Sequence, residues 1–140
     1  MNLPSSSFAG STITSLNTYT TYYIRAYAIN EVDTVYGQER TVEITPPVVE
    51  TGSTDSIGLN EAKLFGRVNP QDLTTTVYFE YGESTSYGST ISAFPDNVTG
   101  TTDVEVSATI SSLTELTTYH YRLVAENDHG KVYGADSVFT

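Results

Sequence analysis

The 140-residue chain contains no cysteine, no tryptophan and only one methionine. The absence of cysteine excludes a disulfide-stabilised scaffold and a zinc–cysteine module. No apolar run approaches the roughly 18–20 residues that a membrane-spanning helix needs. Met1 is not followed by a basic region and an apolar stretch, so no signal peptide is visible. The sequence therefore predicts no membrane insertion.

Basic residues are also scarce, with six Lys and Arg against seventeen Asp and Glu, a net charge of −11. Such a charge repels phosphate backbones, and we expect no nucleic-acid partner. The seven aspartates are scattered, whereas a calcium loop needs oxygen ligands at close alternating spacing. The acidity thus predicts solubility rather than a metal site.

The residues for catalysis are missing as well. The two histidines, His120 and His129, have no nucleophile motif beside them, and no glycine-rich phosphate loop is present. Zinc would need three or four nitrogen or sulfur ligands. We expect a protein that is not an enzyme, with no catalytic residue, no metal and no cofactor.

What the chain does contain is an internal repeat. Residues 12–37 and 109–134 align without a gap at an offset of 97 residues, with 13 of 26 positions identical. A period near 100 residues is the size of a β-sandwich domain. We therefore predict that residues 1–46 are the C-terminal half of one domain, with about three strands, and that residues 47–140 are a complete second domain. Pro46 and Pro47 would form a stiff hinge between the two.

Apolar residues alternate with polar ones along most segments, which predicts strands rather than helices. Tyr119, Tyr121 and Leu123 share one face of such a segment, and His120 and Arg122 lie on the other. Turn signals separate the segments, among them the run Phe-Pro-Asp-Asn at residues 94–97. We count about seven strands over residues 48–140 and expect one core between two sheets.

Two tyrosines stand at the start of corresponding strands. Tyr119 follows Leu113 and Leu116, and Tyr22 has the same place in the earlier copy. In immunoglobulin-type sandwiches a tyrosine here returns its hydroxyl to the backbone a few residues upstream, an arrangement called a tyrosine corner. The alternative for both is an exposed platform on which a sugar stacks.

Two longer motifs resemble a known family. The run L-x-x-x-T-T-Y-x-Y-R-x-x-A-x-N at residues 113–127 is similar to the late strands of bacterial fibronectin type III domains, and G-R-V-N-P at residues 66–70 begins a run that resembles their early strands. The resemblance implies an all-β, immunoglobulin-like sandwich, one complete domain preceded by half of another. T-T-Y-Y-I-R-A-Y-A-I-N at residues 20–30 is similar to repeats in surface proteins of Bacteroidetes.

The resemblance further implies an extracellular, cell-surface tandem array: a structural or adhesive module of a filament, stalk or adhesin. An accessory spacer in a secreted carbohydrate-active enzyme is the alternative, and a sugar-binding module that uses exposed Tyr78, Tyr87 or Phe94 is another. No Arg-Gly-Asp motif is present, so integrin-type binding does not carry over.

The half domain lacks a first half to cover its apolar residues, and an isolated small sheet is marginal in water. We expect it to be covered by another copy of the chain or by a neighbouring module. Tyr23, Tyr27 and Ile29 make the outward face of its main strand more aromatic than the later copy, which favours a subunit contact. Cross-strand pairing within one sheet is the alternative.

Four positions are candidate glycosylation sites. Asn97 begins an N-x-T acceptor in a predicted loop. Thr34, Ser56 and Ser137 each sit in an Asp-Ser/Thr-aliphatic triplet that resembles an O-glycosylation pattern of Bacteroidetes. The alternative for these triplets is an ordinary turn that leads into a strand.

Overall fold

The computed structural model describes residues 10–140, except for the side chains of residues 55–57. The chain forms two compact units, Met1–Ile44 and Thr45–Thr140. Every regular element among the described residues is a β-strand, which confirms the all-β prediction. The second unit begins before Pro46 and Pro47, both of which are buried.

The second unit contains eight strands, one more than the sequence indicated. They are β5 (Val48–Ile57), β6 (Glu61–Asn69), β7 (Thr75–Gly82), β8 (Ser89–Val98), β9 (Val104–Ser111), β10 (Tyr119–Asn127), β11 (Gly130–Tyr133) and β12 (Ser137–Phe139). Their order is β11-β10-β7-β8-β9-β6-β5, with β12 also paired to β10. Strand β8 pairs with β7 and with β9, and so joins the two sheets of a sandwich.

Residues of alternating strands fill the space between these sheets. Strand β5 closes the sandwich against β10, where the Tyr121 hydroxyl donates to the Gly52 carbonyl at 2.6 Å. The alternation of polar and apolar residues predicted which face of β6 and of β10 packs in the core, although Val124 on the opposite face of β10 is buried as well. The fully buried side chains of the core include those of Leu64, Val68, Val77, Phe79, Ile110, Tyr121 and Leu123.

The predicted turn at residues 94–97 is wrong, because this segment lies inside β8. Proline has no N–H for a ladder and is tolerated in strands at irregularities. Pro95 lies at such a place: the pairing of β8 with β7 stops at Ser92, resumes at Asn97 and shifts register between them. Asn97 is therefore an exposed strand residue and does not lie in a loop.

From residue 10 onward the first unit has four short strands, where about three were predicted: β1 (Thr21–Ile24), β2 (Tyr27–Ile29), β3 (Thr34–Tyr36) and β4 (Arg40–Glu43). Strand β1 pairs only with β4, and β2 only with β3, among the residues that the structure describes. Each pair is a two-stranded sheet. Most side chains of these four strands are exposed.

The strand pairing of the first unit reproduces that of the second at the same offset as the sequence repeat. Tyr22 faces Val42, as Tyr119 faces Phe139 97 residues later. Every register pair of β2 with β3 likewise has its counterpart in β10 with β11. Even the left-handed backbone recurs, with φ of 61° at Ser15 and 62° at the corresponding residue of the second unit. The two units therefore contain the same arrangement of late strands.

Candidate functional site

Both predicted corner tyrosines direct their hydroxyls to backbone five residues upstream. The Asn17 N–H donates to Tyr22 Oη at 2.7 Å, and the Thr114 N–H donates to Tyr119 Oη at 3.1 Å. Tyr119 is buried and stacks on Phe139 with ring centroids 5.7 Å apart. Tyr22 is half-buried. Neither ring is therefore exposed as a platform on which a sugar could stack.

The main difference between the units is a strand edge, which we call the open edge: the side of β1 and β2, residues 22–29, that does not face β4 or β3. In the second unit the corresponding edge of β10 pairs with β7 over residues 120–126. Within residues 10–140 no strand pairs with the open edge. An unpaired edge leaves its N–H and C=O groups available to another strand.

The break between β1 and β2 follows from the same absence. In β10, the partners on the far edge are β12 at residues 119–121 and β11 at residues 124–127, with a gap between them. Strand β7 bridges this gap, so β10 is continuous. In the first unit the corresponding gap, at Arg25 and Ala26, has no such partner, and the predicted single strand is divided there.

The side chains proposed as a subunit contact lie along the open edge and are exposed. Tyr23, Tyr27 and Ile29 are 69, 65 and 68% exposed. The ring centroids of Tyr27 and Tyr36 are 6.2 Å apart on paired positions, which is the cross-strand contact given as the alternative. The cross-strand pair leaves both rings mostly exposed, so a further partner remains a prediction.

In the second unit, two of the three tyrosine and phenylalanine candidates for sugar stacking are covered by cations. Arg122 lies 4.5 Å from the centroid of Tyr87, and Lys131 lies 5.9 Å from that of Tyr78. Both rings are half-buried. Phe94 is different, because 83% of it is exposed. The structure therefore leaves Phe94 as the accessible aromatic of the three.

Arg122 holds together a polar cluster on the outer face of β7 and β10. Its guanidinium donates to Glu80 at 2.8 and 2.7 Å and also lies 4.0 Å from the centroid of Tyr133. The Tyr87 hydroxyl donates to Asp136 at 3.0 Å. Burial, together with this hydrogen bond, raises the pKa of Tyr87 above its ordinary value.

This cluster has a counterpart in the first unit, where Arg25 lies 4.0 Å from the centroid of Tyr36. A contact that recurs at the repeat offset belongs to the scaffold of both units. We therefore assign the arginine–tyrosine contacts to stability rather than to ligand binding.

Each of the two histidines has a structural partner. His120 Nδ1 donates to the Asp136 carboxylate at 2.8 Å, and His129 Nδ1 donates to the Thr45 carbonyl at 3.0 Å. No group of three or more metal-binding side chains is found among residues 10–140. That part of the chain also contains no helix with the length and apolar character needed to cross a membrane.

The candidate glycosylation residues occupy strands. Thr34 begins β3 and Ser137 begins β12, and both are half-buried. This placement matches the alternative of a turn that leads into a strand. The side chain of Ser56 lies outside the described residues. Asn97 Oδ1 lies 3.4 Å from the hydroxyl of Thr76 on the neighbouring strand.

Sequence reasoning missed that a second phenylalanine, which is half-buried, shares the outer face with Phe94. Phe65 lies on the outer face of β6, opposite the same residue of β9 that Phe94 faces. The alternation of residues 62–68 already put Phe65 on that face. Only the strand order could place it beside Phe94.

No protein-family model matches the chain, and no curated protein matches it. Solved structures do match it, among them two of one domain. Both are of the sensor domain of the anti-sigma factor RsgI4 in Pseudobacteroides cellulosolvens, in a short and a long form. Each is 17% identical in sequence. The short form has a TM-score of 0.51 over 70% of this chain and 96% of the other, and the long form 0.50 over 67% and 87%. At this identity the likeness establishes the all-β fold alone.

Proposed function

We propose that the chain is a non-catalytic structural or adhesive module of an extracellular bacterial tandem-repeat protein. The second unit is a complete fibronectin type III domain, and the first is the C-terminal half of a preceding domain of the same kind. Such modules at the cell surface would form part of a filament, stalk or adhesin. The partner of the first unit is another module of the array or another copy of the chain.

One observation carries this proposal: the late strands of both units have the same register, and among residues 10–140 early strands are found only in the second unit. The β10 residues Tyr121 and Leu123 are buried in the core, where they contact Gly52 of β5 and Gly66 of β6. Their counterparts in the first unit, Ile24 and Ala26, are exposed. Since both units share the late-strand pairing, a strand like β7 fits the open edge.

The acidic surface and the absence of catalytic groupings support a mechanical role. Among the described residues, the polar clusters are hydrogen-bonded within the sandwich and none is arranged as nucleophile, base and orienting acid. Compact sandwiches joined in series present a distal surface at a fixed distance.

A fused variant tests whether the first unit accepts the missing strands. A copy of residues 45–111 is placed directly before Ser15, which corresponds to Ser112 in the repeat. Amides of residues 22–29 should then exchange with deuterium more slowly, by a factor of at least about 100, because the open edge becomes part of a central strand. The measurement is hydrogen exchange followed by mass spectrometry.

The matched control carries Phe79→Asp in the copied segment only, which places a charge in the copied core. Slow exchange in the fusion and fast exchange in this control support the proposal. Equal exchange in the fusion and the native chain contradicts it. Electron microscopy of the native material gives the second readout, with linear arrays expected, whereas single separate particles speak against an array.

A further inference from the structure

In the first unit, the backbone pairing of the last strand continues past the end of β4. Strand β4 ends at Glu43, and Ile44 follows it. The Tyr19 N–H donates to the Ile44 carbonyl at 2.6 Å, and the Ile44 N–H donates to the Thr20 carbonyl at 3.4 Å. Glu43 is exposed and Ile44 is buried, as the alternation of side chains along a strand requires. The last paired residue of the first unit is therefore a buried isoleucine.

The second unit repeats the backbone that receives this isoleucine. Leu116 and Thr117 stand 97 residues after Tyr19 and Thr20. The backbone angle φ is 57° at Leu116 and 55° at Tyr19, so the same left-handed residue precedes both strands. Among residues 10–140, no backbone carbonyl accepts a hydrogen bond from the Leu116 N–H. The part of the chain that the structure describes thus leaves the place of Ile44 unfilled in the second unit.

An apolar cavity of about 290 Å³ lies at this place in the second unit. The buried rings of Tyr119 and Phe139 line it, together with half-buried Leu113. Leu116 and Thr117 line it as well, so a residue that pairs with their backbone lies at its mouth. Because side chains two positions apart share one face of a strand, the residue after Thr140 would point to the same side as Phe139.

The size and lining of the cavity suit one aliphatic side chain. Small-molecule pockets begin at roughly 300 Å³, so this cavity is at their lower limit. Glu61 and Glu115 are also among its lining residues, and their carboxylates disfavour an anionic occupant. The first unit shows what occupies the corresponding place, because Ile44 forms the backbone hydrogen bonds that Leu116 and Thr117 offer.

From this correspondence we infer that the cavity lined by Tyr119 and Phe139 is the docking site for an aliphatic residue that follows Thr140 in the array. This residue extends β12, forms backbone hydrogen bonds with Leu116 and Thr117, and packs its side chain on the two rings. It is the first residue of a connecting segment with the pattern of residues 44–47, Ile-Thr-Pro-Pro. The inference rests on the proposed function, because it treats both units as modules of one array.

An extension of the full chain tests the inference. Ile-Thr-Pro-Pro is added after Thr140, and the matched control carries Asp-Thr-Pro-Pro at the same place. With isoleucine, the Leu116 amide should exchange with deuterium at least about tenfold more slowly than in the chain without an extension, because its N–H gains a carbonyl partner. The unfolding temperature of the second unit should rise by about 5 °C, since an aliphatic side chain leaves water. Nuclear magnetic resonance and calorimetry measure the two effects.

The aspartate control should show neither effect, because a carboxylate does not fit among the rings. Equal exchange of the Leu116 amide in the two extended chains overturns the inference. Slow exchange of this amide without any extension also overturns it, since the place would then be filled already. Protection that increases with protein concentration would mean that another copy fills the cavity, which overturns it as well. Failure of the array proposal is seen separately, at the amides of residues 22–29 in the fused variant.

Discussion

The two units share half of the 26 residues of the repeat and the whole pairing of their late strands, yet the same positions are exposed in one and buried in the other. Ile24 is 37% exposed and the corresponding Tyr121 is 1% exposed. Local hydrogen bonds, such as those of the corner tyrosines, are alike in both. The comparison shows that the late strands set their own register, whereas burial depends on strands far away in sequence.

The largest expected difference between the two units comes from truncating the side chains at corresponding apolar positions. Tyr121→Ala should lower the free energy of unfolding of the second unit by about 3–5 kcal/mol, since it empties a core site. Ile24→Ala should cost less than about 1 kcal/mol, because its side chain is already partly in water. Chemical denaturation followed by circular dichroism measures both.

Tyr121→Phe is the control for the first prediction, since it removes only the hydroxyl that donates to the Gly52 carbonyl. If Tyr121→Ala and Ile24→Ala had equal effects, the first unit would be packed as tightly as the second. The conclusion that the open edge has no partner would then be wrong.

The arginine–tyrosine contacts sharpen the comparison at an intermediate magnitude. Arg122→Met should destabilise the second unit by about 1–3 kcal/mol, because it removes contacts to two rings and leaves the half-buried Glu80 without its partner. Arg25→Met removes a contact to one ring and should cost less than about 1 kcal/mol. Thermal unfolding of both variants measures the difference, and the reverse ranking would contradict it.

The corner hydroxyls should show a smaller effect. Tyr119→Phe should cost about 1 kcal/mol, the net value of one partly buried hydrogen bond. Tyr22→Phe should cost less, because water can satisfy the exposed Asn17 N–H in its place. Equilibrium denaturation of the two variants gives the comparison. A larger loss at Tyr22 would mean that the first unit depends on its corner more than the complete domain does.

The smallest expected effect is a pH dependence confined to the second unit. Burial raises the pKa of Tyr87 above 10.0 in the folded chain. The unfolded chain therefore releases this proton first, and stability should fall as the pH rises through the raised pKa. Difference absorbance between native chain and Tyr87→Phe measures this titration. Asp136→Asn should move the pKa of Tyr87 back toward 10.0. An unchanged pKa in this variant would show that the hydrogen bond to Asp136 does not contribute to the shift.

Particular residues show how far the sequence could be interpreted. Alternation placed Leu64, Val68 and Tyr121 in the core, since a strand turns successive side chains to opposite faces. Residues 94–97 misled, because proline and asparagine suggest a turn and only the shift of β8 between two partners accommodates Pro95 in a strand. The sequence could not predict that Phe65 and Phe94 share one outer face, since this depends on the order of the strands in the sheet.

The sequence by itself determined the all-β class, the repeat and the faces of its strands, because side-chain periodicity and turn residues act over short distances. The tertiary structure decided which of two similar segments is buried, which aromatics are covered by cations and which remain accessible. These features depend on pairing between distant strands, whose partners a short stretch of residues does not specify.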